Sequence, residues 1–342
     1  MNKIPIIILN WNGLEDTIHC ISSLQNQTKK GFHIYLVDND SENNEGEILK
    51  ERYKKDSNIT IIQNTTNLGF VRGNNLILRK ILAEQSPPDS IILLNNDTEV
   101  DPMWFESIME STADIVGCKL TDFYNRSLMD SAGHRMLRTG EIIPIGHGDS
   151  VKNFTTQFNP FGVCAGACRY STSMLKDIGL FDKFFVTGYE DAELGARAIM
   201  MGYSCEYCPD AVVYHKGSVS IQKIRNLEYS RKIQTNIWYT YWKLMPLPLI
   251  FLTLPVLLLK QLGIILLGIS TNRPILRKVH TESLREIWNQ RSIIQKERRD
   301  FQNQRVLSAL QIWMKQSSFV RHYFSYFWNY IVKREQTVFE KI

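Results

Sequence analysis

The sequence contains no GxxxxGKS/T run, so it has no P-loop. No GxGxxG follows the first apolar segment, so the dinucleotide-binding fingerprint is missing too, and HExxH is absent. A nucleotide, if bound, must be held by something other than a glycine-rich phosphate cradle. There is no internal repeat and no low-complexity tract. The opening MNKIPIIILNWNG has five apolar residues around Pro5 before Asn10 breaks the run. That is too short for a secretory signal and reads as a buried strand. Without an export signal, the six cysteines are expected as reduced thiols in a cytosol. Cys205 and Cys208 form a CxxC, and Cys164 and Cys168 a CxxxC, so zinc stays an alternative. Residues three apart on a strand face opposite ways, which favours separate core thiols.

What is present suits a globular protein with a sizeable core: 342 residues, 44% hydrophobic and 22% charged. The net charge of +5 hides an asymmetry. Residues 1–215 carry 19 Lys and Arg against 28 Asp and Glu, whereas residues 271–342 carry 14 against 6. An acidic body argues against nucleic acid as its partner. A basic tail points to phosphate-rich lipid headgroups.

Over the first 120 residues, strands and helices alternate. Short β-branched runs predict strands over 4–9, 32–37, 59–63, 91–94 and 114–118. Helical spacing predicts helices over 14–27, 45–55, 71–83 and 103–110. This alternation predicts an α/β fold whose mainly parallel sheet is flanked by helices. Ligands bind such sheets beyond the carboxyl ends of the strands. The polar clusters 10–12, 38–41 and 95–97 all fall there. Residues 121–160 hold four of the glycines and predict loops with short strands.

Three motifs carry candidate chemistry. In Asn95-Asn96-Asp97-Thr98, a carboxylate at a strand end flanked by amides can share a Mg2+ or Mn2+ with a diphosphate. Taken alone, the motif is read first as an Asx turn leading into the helix that starts near Asp101-Pro102, with the metal site as the alternative. In Tyr189-Glu190-Asp191-Ala192-Glu193, acidic residues either complement a helix N-terminus or supply a general base. His215, at the end of an apolar strand over 211–214, is a structural residue or a metal ligand.

The ordered segments IIILNWNG, CISSL, LVDNDSENN, NTTNLGFVRGNN, ILLNNDTEV, IVGCKL, GACRYSTSML, GLFDKFFVTGYEDAELGARAIMMGY and YCPDAVVYHKGSVS span about residues 4–220. In this order they resemble glycosyltransferase family 2, with its GT-A-type, Rossmann-like fold, and in particular its rhamnosyltransferase-like branch. The resemblance implies an inverting, metal-dependent transferase. It would move a sugar from a nucleotide diphosphate donor to a growing, lipid-linked surface polysaccharide at the cytoplasmic face of the cell membrane. The branch implies rhamnose from a dTDP donor. Asp38 would contact the base, with Asn10 and Asn12 beside it. Asn67, Gly69 and Asn74 would line the ribose and diphosphate pocket. Asn95 and Asn96 would lie on the donor, with Asn95 where a strict DxD has its first Asp. Asp97 would bind the metal, with His215 as a further contact. Asp191 would be the catalytic base and Glu190 its assistant. The sequence departs from the branch at Asn96, Ala192 and the Gly195-Ala196 pair, none of which removes a reactive group. Polyprenyl phosphate or a protein as acceptor stays open, as does a non-catalytic nucleotide-sugar-binding protein.

The expected organisation is a transferase domain over 1–220, a membrane-associating segment over 221–270 and a basic helical tail over 271–342. Residues 247–267 are almost wholly apolar and about long enough to cross a bilayer. Pro248, Pro255 and Lys260 favour a re-entrant or surface-lying hairpin, and Arg273, Arg277 and Lys278 just beyond oppose a crossing. Trp238, Tyr239, Tyr241 and Trp242 are expected at headgroup level. The tail brings further aromatics, Trp313, Tyr323, Phe324, Phe327 and Trp328. A buried helical hairpin or a homodimer interface is the alternative.

Overall fold

The run IPIIILN forms strand β1 (Ile4–Asn10), buried on both faces as such unbroken apolar strands are. In the computed structural model, which describes residues 3–217 and 227–328, it is followed by α1 (Leu14–Gln25), β2 (Phe32–Asp38), α2 (Glu45–Tyr53), β3 (Ile59–Gln63), α3 (Gly69–Leu82) and β4 (Ser90–Leu94). Next come β5 (Thr98–Val100), α4 (Trp104–Glu110), β6 (Ile115–Asp122), β7 (Met129–Ser131), β8 (His134–Met136) and β9 (Ile142–Pro144). The set continues with β10 (Ala167–Ser171), α5 (Thr172–Ile178), α6 (Glu190–Met200) and β11 (Cys205–His215).

Nine strands form one sheet in the order β3-β2-β1-β4-β10-β6-β11-β5, with β7 added on β6. The first four are parallel. β10 then enters antiparallel between β4 and β6, and β5 lies antiparallel on β11. The sheet is therefore parallel in its first half and mixed in its second. The alternation over the first 120 residues shows only the first half, because β10 and β11 arrive later in the chain.

Alternate residues of β1 serve the two faces. Ile6 and Ile8 pack in one cluster with Cys20, Ile21 and Leu24 of α1 and with Trp104 and Ile108 of α4. Leu9 meets α3 instead, where a Cβ on Gly73 would come within 3.1 Å of its methyl carbon. Trp104 is fully buried and gives its indole N–H to Cys118 Sγ at 3.2 Å. All six cysteines are free. Cys205 is buried, whereas Cys208 is half-buried and donates to Ser107 O at 3.6 Å.

The chain divides into two compact units, Met1–His134 with Pro144–Val219, and Arg135–Ile143 with Ser220–Ile342. Segments 221–270 and 271–342 thus share a unit, joined by the short piece 135–143. Ser218 to Ser220, which end the YCPDAVVYHKGSVS segment, and tail residues 329–342 lie outside the described residues, as does the side chain of Phe327.

The second unit contains α7 (Leu227–Leu244), α8 (Leu247–Ser270), α9 (Pro274–Asn289), α10 (Arg291–Gln304), α11 (Ala309–Lys315) and α12 (Val320–Phe327). The expected hairpin over 247–267 is corrected: α8 is one continuous helix of 24 residues with Pro255 inside it. Pro248 lies in its first turn, where a missing N–H costs nothing. Pro255 costs about 3 kcal/mol locally, which six turns of helix and their packing outweigh. The polar breaks are partnered within the unit: Lys260 pairs with Glu141, and Gln261 Nε2 donates to His280 Nδ1 at 2.7 Å. The expectation for the upstream aromatics is corrected as well. Trp238, Tyr239 and Tyr241 are buried in this unit, and Tyr241 shares a hydrogen bond with Thr253 of α8 at 3.1 Å. In the tail, the Arg138 guanidinium covers the Trp313 ring, and Phe324 stacks on Trp328.

Candidate active site at the strand ends

Parallel register places Asn10 beside Asp38 at the carboxyl ends of β1 and β2. Asn10 is buried; its Nδ2 donates to Asp38 Oδ1 at 2.8 Å, Ser41 Oγ at 3.1 Å and Glu45 Oε2 at 3.0 Å. Its Oδ1 accepts from Thr17 Oγ1 at 2.7 Å, and Thr17 in turn accepts from Asn96 Nδ2 at 2.9 Å. A chain of side-chain hydrogen bonds therefore links Asp38, Asn10, Thr17 and Asn96. Asn12 closes the turn after β1 with φ +51°, a left-handed conformation that asparagine tolerates. It accepts from Glu42 N at 2.7 Å.

A second amide cluster sits beside the first, since Asn39 N donates to Asn10 O at 2.8 Å. Asn39 Nδ2 donates to Asn67 Oδ1 at 2.8 Å, and the same oxygen accepts from Gly69 N at 2.8 Å. Gly69 opens α3 with φ +70°, which glycine adopts without strain. Asn74 is not joined to this cluster by a hydrogen bond among the described residues. It is buried, and its Nδ2 donates to Phe70 O within its own helix at 3.0 Å.

Register also explains how residues 118 positions apart meet. β11 runs antiparallel to β5 with His215 opposite Thr98, so the histidine reaches the residue just before β5, which is Asp97. His215 Nε2 lies 3.3 Å from Asp97 Oδ1, and Nδ1 lies 2.7 Å from Asp130 Oδ2. Burial alone would lower the His215 pKa. The Asp130 hydrogen bond and the Asp97 carboxylate outweigh it and carry it up to about 10. Burial would raise Asp130, yet His147 and His215 hold its carboxyl well below the usual carboxylate range. Nε2 is buried and, despite the nearby carboxylate, has no aligned hydrogen-bond partner.

Asp191 stands in the first turn of α6. Its Oδ2 accepts from Ala165 N at 3.0 Å and its Oδ1 from Ala192 N at 2.8 Å. The residue after Ala165 accepts in turn from the 95–97 loop, Asn95 N donating to Gly166 O at 2.8 Å. Segments 95–97 and 190–192 thus meet on the short piece 164–166. Burial first, then Asp191 and Asp130, push the Cys164 thiol well above its ordinary value. Glu190 is buried with Oε2 unpartnered, and burial followed by the Asp191 charge raises its pKa well above the usual carboxylate range. Below them the helix rests on bare backbone: a Cβ on Gly195 would come 2.5 Å from Gly162 Cα.

Sequence reasoning missed Asp130 and Thr17, whereas Ser41 falls within the polar cluster 38–41 read from the sequence. Asp130 offered one signal, a lone carboxylate between Met129 and Ser131, both buried. Its partner His215 lies 85 residues away and no local pattern joins them.

Residues 6–179, just over half the chain, match the family model described as Glycosyl transferase family 2. The chain is 33% identical over 130 residues to the bifunctional glycosyltransferase pgtA of Dictyostelium discoideum. The match spans 36% of this chain and 16% of that protein, so the chain covers about one sixth of that relative's length. Among solved structures it is similar to GalNAc-T7 with UDP, GalNAc and Mn2+, at 13% identity and a TM-score of 0.53, over 70% of this chain and half of that one. It is equally similar to a mannosyltransferase of Pyrobaculum calidifontis in complex with GDP-Man and Mn2+. There too identity is 13% and the TM-score 0.53, over 84% of this chain and 75% of that one. These likenesses establish the fold, which is of the GT-A type.

Proposed function

The chain belongs to glycosyl transferase family 2, and from that premise we propose that it transfers a sugar from a nucleoside diphosphate donor to an acceptor hydroxyl with inversion. The observation that carries this reading is the meeting of Asp191 and the 95–97 loop on residues 164–166. A base and the end of a donor site are thereby held on one short piece of backbone.

In this reading Asp191 takes the proton from the attacking hydroxyl. Each of its oxygens accepts a single backbone N–H, so both keep lone-pair capacity. Glu190, buried and raised, stays protonated and orients the acceptor or the loop. A single displacement on the face opposite the departing diphosphate inverts the anomeric carbon. Asp38 with Asn10 and Asn12 receives the base, while Asn67, Gly69, Asn74, Asn95 and Asn96 line the remainder of the donor.

A divalent cation fits beside Asp97. The Asp97 carboxylate offers one oxygen, and His215 Nε2 would offer one imidazole nitrogen once a cation displaces its proton, a pair suited to Mn2+, or to Mg2+ through the carboxylate. Among the described residues no group of three or more His, Cys, Asp or Glu side chains is placed to hold a cation, so phosphate oxygens and water would have to complete the shell. When bound, the cation offsets the charge gathering on the departing diphosphate.

The test is a panel of UDP-, GDP- and dTDP-sugars, dTDP-rhamnose included, each with Mn2+ or Mg2+. One donor should stabilise the chain by about 2.7 kcal/mol at a hundredfold excess over Kd. The same donor should release nucleoside diphosphate when an acceptor is added. A panel in which nothing stabilises the chain and nothing is released would overturn the proposal.

A lipid-linked glycan acceptor at the cytoplasmic face of the membrane completes the reading, supported by the free face of α8. Leu249, Thr253, Leu257 and Gln261 form its buried stripe, while Phe251, Leu252, Leu258, Leu259, Leu262 and Leu266 are exposed. Gln261 ties α8 to α9, which carries Arg277, Lys278, Glu282 and Arg285. A crossing would drag these charges into hydrocarbon, so α8 lies along the surface instead. Phe251→Glu with Leu259→Glu should weaken co-sedimentation with anionic vesicles at least tenfold, since each apolar side chain withdrawn loses about 1.5–3 kcal/mol. Unchanged binding would remove α8 from the membrane contact.

A further inference from the structure

Asp130 owes its place to a defect in strand pairing. Leu120 of β6 faces Ser131 of β7, but the next residue, Thr121, faces Met129. Two steps of β7 therefore span one step of β6, and Asp130 is the extra residue. A bulge of this kind re-aims the side chain it carries. Met129 and Ser131 are buried, while the Asp130 carboxylate reaches His215 Nδ1 at 2.7 Å. His147 backs it from the other side, its Nδ1 lying 3.4 Å from Asp130 Oδ1.

An ionised carboxylate only accepts, so the proton of this hydrogen bond belongs to Nδ1. With Nδ1 held by Asp130, Nε2 is the nitrogen that faces Asp97, and its proton is the one a cation would displace. Nε2 lies 3.3 Å from Asp97 Oδ1, buried and without an aligned partner. Outer carboxylates that hold a ligating imidazole in this way fix its tautomer and rotation.

We propose that Asp130 is a positioning residue, which by accepting the His215 Nδ1–H presents Nε2 beside Asp97 and so sets the affinity of that pair for a divalent cation. The proposal rests on the reading of Asp97 and His215 as the cation's protein donors. It adds to the two candidate donors a residue that lies inside the matched span 6–179 but outside the short segments quoted from the sequence.

The experiment titrates the full chain with Mn2+ alone and follows free Mn2+ by electron paramagnetic resonance. Asp130→Ala should weaken binding about 10–100-fold. Asp130→Asn, which keeps an acceptor oxygen, should lose less. In a His215→Ala background, Asp130→Ala should change nothing further, because the effect passes through the ring. An equal loss in both backgrounds would overturn the proposal, as would no loss in the native one. If circular dichroism shows the alanine variant unfolded, Asp130→Asn carries the same comparison. A His215→Ala chain binding Mn2+ as tightly as the native one would instead sink the reading of His215, and the proposal with it.

Discussion

Asp191→Asn should lower turnover by about 10²–10⁴-fold, the usual worth of a positioned general base, while donor affinity stays within about twofold of native. The asparagine is nearly isosteric, and its remaining oxygen can still accept one of the two backbone N–H groups, from Ala165 or Ala192. Its Nδ2 cannot accept the other, which costs about 1 kcal/mol of stability at most a few times over. Steady-state kinetics paired with donor titration by calorimetry separate the two effects. Loss of donor affinity with residual turnover would put the base elsewhere.

Asp97→Ala should remove activity and its cation dependence together. In the proposed reading a bound cation would supply several kcal/mol of charge stabilisation, and about 1.4 kcal/mol is a decade in rate. The loss is therefore on the order of 10³-fold, and native protein stripped with a chelator should fall to the same level. Added Mn2+ should restore the stripped native protein and leave the variant unchanged. A variant still stimulated by Mn2+ would show that another group holds the cation. The backbone should survive the change, because Asp97 O keeps its bond from Lys216 N at 3.0 Å.

The two variants test opposite ends of what could be read in advance. The parallel half of the sheet was legible, because β1, β2, β3 and β4 are short β-branched runs separated by amphipathic helices. With the strands placed, Asn10, Asp38 and Asp97 fall at carboxyl ends without further information. β5 was not legible. Thr98 follows an asparagine-rich turn and pairs with His215, so only the return of a strand more than a hundred residues later gives those residues a ladder. Asp130 escaped for the same reason, being fixed by a bulge and a distant imidazole. In α8, Pro255 suggested a turn that does not occur. Proline marks a local cost, whereas the outcome depends on partners such as Tyr241 and His280 that composition does not display. The aromatics before α8 show the converse: a cluster of Trp and Tyr reads as interfacial until the helices that cover it are known.

The contact between Gly195 and Gly162 has a practical bearing on redesign. With no side chains separating the two, the gap from the helix of Asp191 to the loop of Ala165 is set by main-chain thickness alone. An engineer wishing to widen that gap would find no side chain there to trim. Room has to come from the loop's own path, for example by lengthening it ahead of Pro160.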